Sequence, residues 1–302
     1  PYGAVIGEQA RRLLVPFLFW AAFFLLFNEA KAMAYGYPGG LAEIAASPLT
    51  LLRYLLLGEV KYHMHFLPTL FGVVLLYPTY LLARRYPALG FGVLACLVIR
   101  REVDVELWAR LPDHPALPFL LRAVKIASYA GYGLVAGSLA HVWANARGTR
   151  LADWLPVVCL GVALLFLLKL AATWRTIAEG AWPHNYAPGY WADFLMPVLL
   201  FLLCLCLSGR RWPVLLSRLA PYSFGIYLCH PIFLDLCEIT LVGTQLPPIA
   251  QVALKISVAL TGAALLVAGL SRLPALAWTI GLGPLPFRRG PALSSKEPGV
   301  SQ

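Results

Sequence analysis

The sequence predicts an all-α, polytopic membrane helical bundle that crosses the bilayer about eight times, and three observations carry that prediction. Of the 302 residues, 60% are hydrophobic and only 13% charged, against ~25% charged in an ordinary soluble domain. Apolar residues gather near 13–35, 64–84, 88–99, 119–143, 153–174, 190–208, 221–243 and 249–271, and a helix needs ~20 such residues to cross the hydrocarbon core. Arginine clusters separate alternate stretches: Arg11 and Arg12, Arg84 and Arg85, Arg147 and Arg150, then Arg210, Arg211 and Arg218, then Arg272, Arg288 and Arg289. The positive-inside bias assigns those loops to the cytoplasm.

Each element follows from this frame. The first stretch opens on Arg11 and Arg12 and carries Pro16. Residues 41–57, interrupted by Glu43 and Arg53, are expected to lie along the membrane interface. The stretch at 88–99 is short, so a tilted, broken or re-entrant helix is expected there. Arg100 to Arg122 and Arg175 to Asp193 read as structured outer loops of mixed charge, with Glu102, Asp104, Glu106 and Asp113 set among Arg100, Arg101 and Arg110. Pro16, Pro68, Pro78, Pro156, Pro197 and Pro231 each remove a backbone donor and favour a kink. One transmembrane domain, 1–287, is followed at 288–302 by a Pro, Gly and Ser rich tail with nothing to bury, expected to be disordered. No repeat of fixed period stands out, nor a clear two-half symmetry.

The formal charge of +10 sits in short clusters rather than a continuous stripe, which argues against a nucleic-acid partner and for membrane lipid. All six cysteines, Cys96, Cys159, Cys204, Cys206, Cys229 and Cys237, lie in apolar stretches without CxxC spacing. They read as small core residues, and no metal site is expected. The chain has no GxSxG elbow, Gly-rich phosphate loop or HExxH, so common hydrolase, nucleotide and protease readings lose support.

Chemistry concentrates in Ser223-Phe-Gly-Ile-Tyr-Leu-Cys-His-Pro231. On a helix Ser223, Tyr227 and His230 share one face, and that face is costly to turn toward lipid. Pro231 removes the backbone donor to the Tyr227 carbonyl, leaving an acceptor that would orient His230 by taking one ring proton. A plain interior histidine that joins two helices reads equally well. Asp235 and Glu238 follow on the same helix, as a solvated helix end or as functional in-membrane acids. His63 and His65 stand at the outer mouth of the second span, as interface hydrogen-bonders or as lining of a substrate lumen. His184, beside Trp182, Tyr186, Tyr190 and Trp191, reads as an aromatic belt. Lys169 and Lys255 lie deep enough to need a partner or a snorkelling route, and neither has one in its sequence neighbourhood.

Ser-Phe-Gly-Ile-Tyr-Leu-x-His-Pro near the end of a many-span chain resembles the membrane acyltransferase-3 family, which includes O-acetyltransferases of polysaccharides, peptidoglycan and periplasmic glucans. Three further stretches agree: Arg12 to Trp20 looks like the family's Arg-rich third span, His63-Met-His-Phe-Leu-Pro68 is similar to its His-Leu-Trp-Phe-Leu segment with His65 in place of Trp, and Tyr129 to Gly137 matches its aromatic and Gly pattern. The family fold has about ten helices, and its first carries an Arg or Lys followed eleven positions later by the catalytic His. None of the six histidines here has such a partner. The resemblance therefore implies that two helices precede Pro1 and that the catalytic pair itself is unassigned. The family's Arg-x-x-Arg pair is incomplete as well, with Gln9 three before Arg12 and Glu8 three before Arg11.

The implied activity is transfer of an acyl group, acetyl by expectation, from a CoA thioester to a hydroxyl of a carbohydrate or cell-envelope glycan. Acetyl-CoA is a co-substrate, and no tightly bound cofactor is expected. Arg11, Arg12, Arg84, Arg85, Arg210 and Arg211 are the candidates for the donor phosphates. Ser223, Tyr227, His230, His63 and His65, with Trp182, are those for supporting or lining the acceptor site. The implied location is a bacterial cytoplasmic membrane. A multi-span transporter or exporter of a glycan or lipid-linked sugar is the rival reading, in which the same residues line a path. A structural membrane subunit is the third.

Overall fold

The computed structural model describes residues 2–37, 40–145, 151–180, 187–211 and 213–285. Arg147, Arg150, Trp182, His184, Tyr186, Arg288, Arg289 and the expected tail at 288–302 lie outside the described residues. Among those described there are twelve α-helices: α1 (Tyr2–Ala34), α2 (Leu41–Ala46), α3 (Pro48–Leu57), α4 (Phe66–Leu75), α5 (Tyr77–Arg85), α6 (Gly92–Arg110), α7 (Leu117–Asn145), α8 (Leu155–Glu179), α9 (Ala187–Cys206), α10 (Val214–Leu219), α11 (Ser223–Leu241) and α12 (Pro248–Ser271).

Among the described residues six helices are long and apolar enough to cross a membrane: α1, α7, α8, α9, α11 and α12. The pair α4 and α5, bent by 54°, makes a seventh if it is one span. The protein is a polytopic helical bundle. Prolines mark its boundaries as their missing N–H dictates, in the first turns of α3, α5, α8 and α12. The stretch 88–99 departs from expectation. Its first residues lie in a 3-10 helix, Pro87–Phe91, and the rest open α6, which continues through the charged residues to Arg110 and is not among the membrane-length apolar helices. Most of the outer loop expected at 100–122 is therefore helical, shared between the end of α6 and the start of α7. Arg100 and Asp104 pair across one turn at 2.9 Å, which makes a charged helix tenable where composition suggested a loop.

The chain divides into two compact units, one of residues 3–68 and 213 onward, the other of 69–212. In the first unit, α11 and α12 run antiparallel. Gly225 of α11 meets Val267, Gly262 of α12 meets Phe233, and Lys255 of α12 reaches Glu238 at 3.1 Å. Beside them α1 runs in the same direction as α11: its Trp20 indole donates to the Thr279 carbonyl at 2.8 Å, and Lys31, a helical stretch later, pairs with Asp235 at 3.1 Å. Phe17, Trp20, Phe24, Met64, Leu67 and Leu228 form the buried core between them.

In the second unit α5 and α6 pack on α7, and α8 pairs with α9. A Cβ at Gly133 would fall 2.2 Å from the Tyr80 ring, and one at Gly137 2.3 Å from the Tyr80 carbonyl oxygen. The glycines of the Tyr129-to-Gly137 stretch thus let α5 lie directly against α7, as small residues do between membrane helices. Lys169 donates to Asp193 on α9 at 2.7 Å. Both deep lysines, Lys169 and Lys255, thus find partners on a neighbouring helix.

Candidate functional site

The loop between α3 and α4 brings the histidines into the first unit. It begins at Gly58, whose φ of 67° and whose approach to the Met64 carbonyl oxygen, 2.6 Å from where a Cβ would stand, admit only glycine without strain. Asn28 of α1 donates to the Val60 carbonyl at 3.0 Å, and Lys61 donates to Asp235 of α11. The loop is thereby tied to both helices. Its backbone is a run of turns, neither helix nor strand, and it sets His63 and His65 differently. The His65 ring donates from Nδ1 to the Tyr62 carbonyl at 2.6 Å and helps close the turn, whereas His63 is 5% exposed.

Around His63 stand Phe24, Tyr227 and His230, their ring centroids 5.4, 5.3 and 5.3 Å away. Neither ring nitrogen of His63 makes a hydrogen bond of good geometry, though the Leu228 carbonyl is close enough to act on the ring. Burial, and after it the neighbouring imidazole of His230, brings its pKa down to about 3. His63 is therefore neutral at physiological pH.

His230 is held at both nitrogens. Pro231 cannot donate to the carbonyl one turn back, and the freed Tyr227 oxygen lies 2.7 Å from His230 Nδ1. A carbonyl only accepts, so Nδ1 carries a proton, and in the neutral ring Nε2 presents a lone pair. The Tyr62 hydroxyl, 3.0 Å away, donates to that lone pair. Burial, then the negative charges of Asp235 and Glu238, raise the Tyr62 pKa and keep it a donor. Tyr227 in turn donates its hydroxyl to the His63 carbonyl, so the loop and α11 are joined through the same residues that face each other.

Asp235 closes the arrangement from the far end. It is 7% exposed and pairs with Lys31 at 3.1 Å and with Lys61. A carboxylate at that depth needs compensation, and two ammonium groups supply it. Asp235 is thus a buried junction of α1, the loop and α11 and not a solvated helix end, while Glu238 is the more exposed of the two and pairs with Lys255.

The structure brings His63, Tyr227 and His230 together and sets His65 at the edge of the same loop. Ser223 it does not bring: that residue is exposed at the first position of α11, two turns before His230, and its hydroxyl donates locally to the Ala220 carbonyl at 2.8 Å. The donor-phosphate candidates are all exposed, Arg11 and Arg12 on α1 in the first unit, Arg84 and Arg85 in the last turn of α5 and Arg210 and Arg211 after α9 in the second. No ion pair engages any of the six among the described residues. Tyr62, Lys31 and Lys61 were missed as site residues because their partners are more than 160 positions away. Only the unexplained acid at Asp235 hinted at them.

A family model described as an acyltransferase domain matches residues 1–268. No curated protein and no solved structure matches the chain.

Proposed function

We infer the reaction from one premise: the chain belongs to the acyltransferase-3 family, whose domain spans residues 1–268, and acyl transfer is the activity that membership implies. The finer reading is that this membrane protein moves an acetyl group from a CoA thioester to a hydroxyl of a cell-envelope carbohydrate. In that reaction the acceptor oxygen bonds to the acyl carbon, the carbon–sulfur bond breaks, and the hydroxyl proton leaves through a base to the departing CoA thiolate.

The observation that carries the acceptor assignment is His230, fixed by the Tyr227 carbonyl with an Nε2 lone pair available. Tyr62, 61% exposed, caps that lone pair and is easily displaced by an incoming hydroxyl. A sugar hydroxyl bonding there would be oriented by His230, with neutral His63 adding no charge to repel or attract the acyl group. By the family resemblance the general base is another histidine, so His230 is a positioning residue here. Arg11 and Arg12 remain the donor-phosphate candidates on α1, ~18 Å along that helix from Phe24 at 1.5 Å per residue.

The test is full-length protein in lipid vesicles, given acetyl-labelled acetyl-CoA and extracted envelope glycans. Label in the glycan with equimolar release of CoA is expected. His230→Ala should raise KM for the glycan about tenfold and leave KM for acetyl-CoA unchanged, the loss of one hydrogen bond to substrate. Consumption of no acetyl-CoA with any glycan would overturn the reading.

A further inference from the structure

We propose that the groove between the start of α11 and the end of α12 binds one anionic phospholipid of the cytoplasmic leaflet, with its phosphate on Arg272 and an acyl chain along the groove. The first reason is shape. By helical spacing Ala264, Ala268 and Ser271 share one face of α12, with Arg272 just past its end, and Tyr222 and Ile226 share one face at the start of α11. These faces, with Leu219 beside them, line a groove of about 380 Å³. The two helices close tightly where Gly225 meets Val267 and Gly262 meets Phe233. Beside those contacts the methyl groups of the two alanines leave the space unfilled. Arg272 and Leu219 are exposed and the other lining residues half-buried, so the groove is reachable from outside.

The second reason is charge. In this unit α1 and α11 start at the same end and α12 finishes there. Among the described residues that end carries Arg11, Arg12, Arg218 and Arg272 against Glu8 alone, while Glu29, Glu43, Glu59, Asp235 and Glu238 belong to the opposite end. Arg272 makes no ion pair and the Tyr222 hydroxyl no hydrogen bond among the described residues. By the positive-inside bias this is the cytoplasmic end, where basic pockets between membrane helices attract anionic headgroups.

The order of groups along the groove defines the ligand. Polar groups stand only at its mouth, where Arg272 offers a fork of donors to a phosphate. The Tyr222 hydroxyl, level with Ser271 by the antiparallel register, adds another donor, and the Ser271 hydroxyl, which donates to the Ala268 carbonyl at 2.8 Å, still accepts. Deeper, Ile226, Ala268 and Ala264 present only carbon, and Ala264 lies two turns in from Arg272, ~12 Å at 1.5 Å per residue. A phosphate followed by hydrocarbon is the order found in a phospholipid. The arm of CoA places two amides behind its phosphates, and this wall supplies no partner for either.

The test is independent of acyl transfer. Full-length protein in detergent is titrated with dioleoyl phosphatidylglycerol, and bound lipid is counted by native mass spectrometry. Saturable binding of one phosphatidylglycerol per chain is expected, displaced by neither dioleoyl phosphatidylcholine, free glycerol 1-phosphate nor CoA. Arg272→Gln should weaken it about tenfold, the loss of one charge-assisted contact, and Ala268→Leu, which fills the groove, at least as much. Arg110→Gln, an equal change of charge in the second unit, should leave it unchanged. Arg272 is exposed, so its variant reports even if Ala268→Leu fails to fold. Phosphatidylglycerol held no tighter than phosphatidylcholine, or binding that Arg272→Gln or a folded Ala268→Leu leaves unchanged, would overturn the proposal. So would displacement by CoA, which would assign the groove to the acyl donor, or by glycerol 1-phosphate, which would leave only an anion site.

Discussion

His63 is the residue whose chemistry is most constrained by its surroundings. Burial beside His230 lowers its pKa from 6.5 to about 3, so the folded state binds it neutral while the unfolded state takes up a proton below pH 6.5. The stability this neutrality contributes is present above 6.5 and is lost as pH falls toward about 3, with a slope of up to ~1.4 kcal/mol per pH unit. His63→Gln should abolish that part of the acid sensitivity; the difference in thermal unfolding between wild type and variant across that window measures it, and parallel curves would refute the assignment. Tyr227→Phe, one atom smaller, removes the donor to the His63 carbonyl. It should cost about 1 kcal/mol in stability, read in the same unfolding experiment, and loosen the loop against α11 without disturbing the Tyr227 carbonyl that holds His230.

At the scale of elements, the loop from Gly58 to His65 is placed by two kinds of constraint, and each makes a prediction. Gly58→Ala forces a Cβ against the Met64 carbonyl oxygen and the His65 backbone, both under 3.0 Å, at a left-handed φ. It should destabilise by more than ~1 kcal/mol and, by shifting the loop, impair any activity that depends on His63 and Tyr62; retention of both in a melting and turnover assay would count against this placement. Asp235→Asn leaves Lys31 and Lys61 facing each other without their carboxylate, at a cost of about 3 kcal/mol, and Lys31→Met in the same chain should recover part of it. How much of this was legible in the sequence follows from separation along the chain. The Tyr227 carbonyl, Pro231 and His230 lie within one turn, so their arrangement could be read from local helix geometry. The Asp235 junction joins positions 174 apart at Lys61, which no local pattern encodes. Arg100 and Asp104 looked like loop charges because apolarity ended at residue 99, and only tertiary packing, Tyr132 of α7 on Phe194 of α9 with Val93 and Leu97 of α6 beside them, shows that the three helices gather there.

At the scale of the whole molecule, composition alone fixed the membrane as solvent, because 60% hydrophobic residues exceed what a soluble core of this size can hide. Direction is a finer matter, set by which loops hold the arginines. Arg210 and Arg211 precede α11, and the turn after it, Val242 to Pro247, carries no charge; the positive-inside bias therefore runs α11 outward from the cytoplasm. Since α1 runs parallel to α11 and α12 antiparallel, one measurement orients all three. In a chain whose six native cysteines are replaced by alanine, Thr244→Cys, in the exposed turn between α11 and α12, should react with a membrane-impermeant maleimide added to intact cells. Gly209→Cys, just after α9, should react only after permeabilisation. The opposite pattern would invert the bundle and put the His63 and His230 cluster toward the other leaflet, and labelling of both from one side would mean that α11 does not cross. The expected pattern puts Asp235 and the loop nearer the outer face and Arg11 and Arg12 nearer the cytoplasm. That is the polarity required if a cytoplasmic thioester is to meet an acceptor arriving from outside.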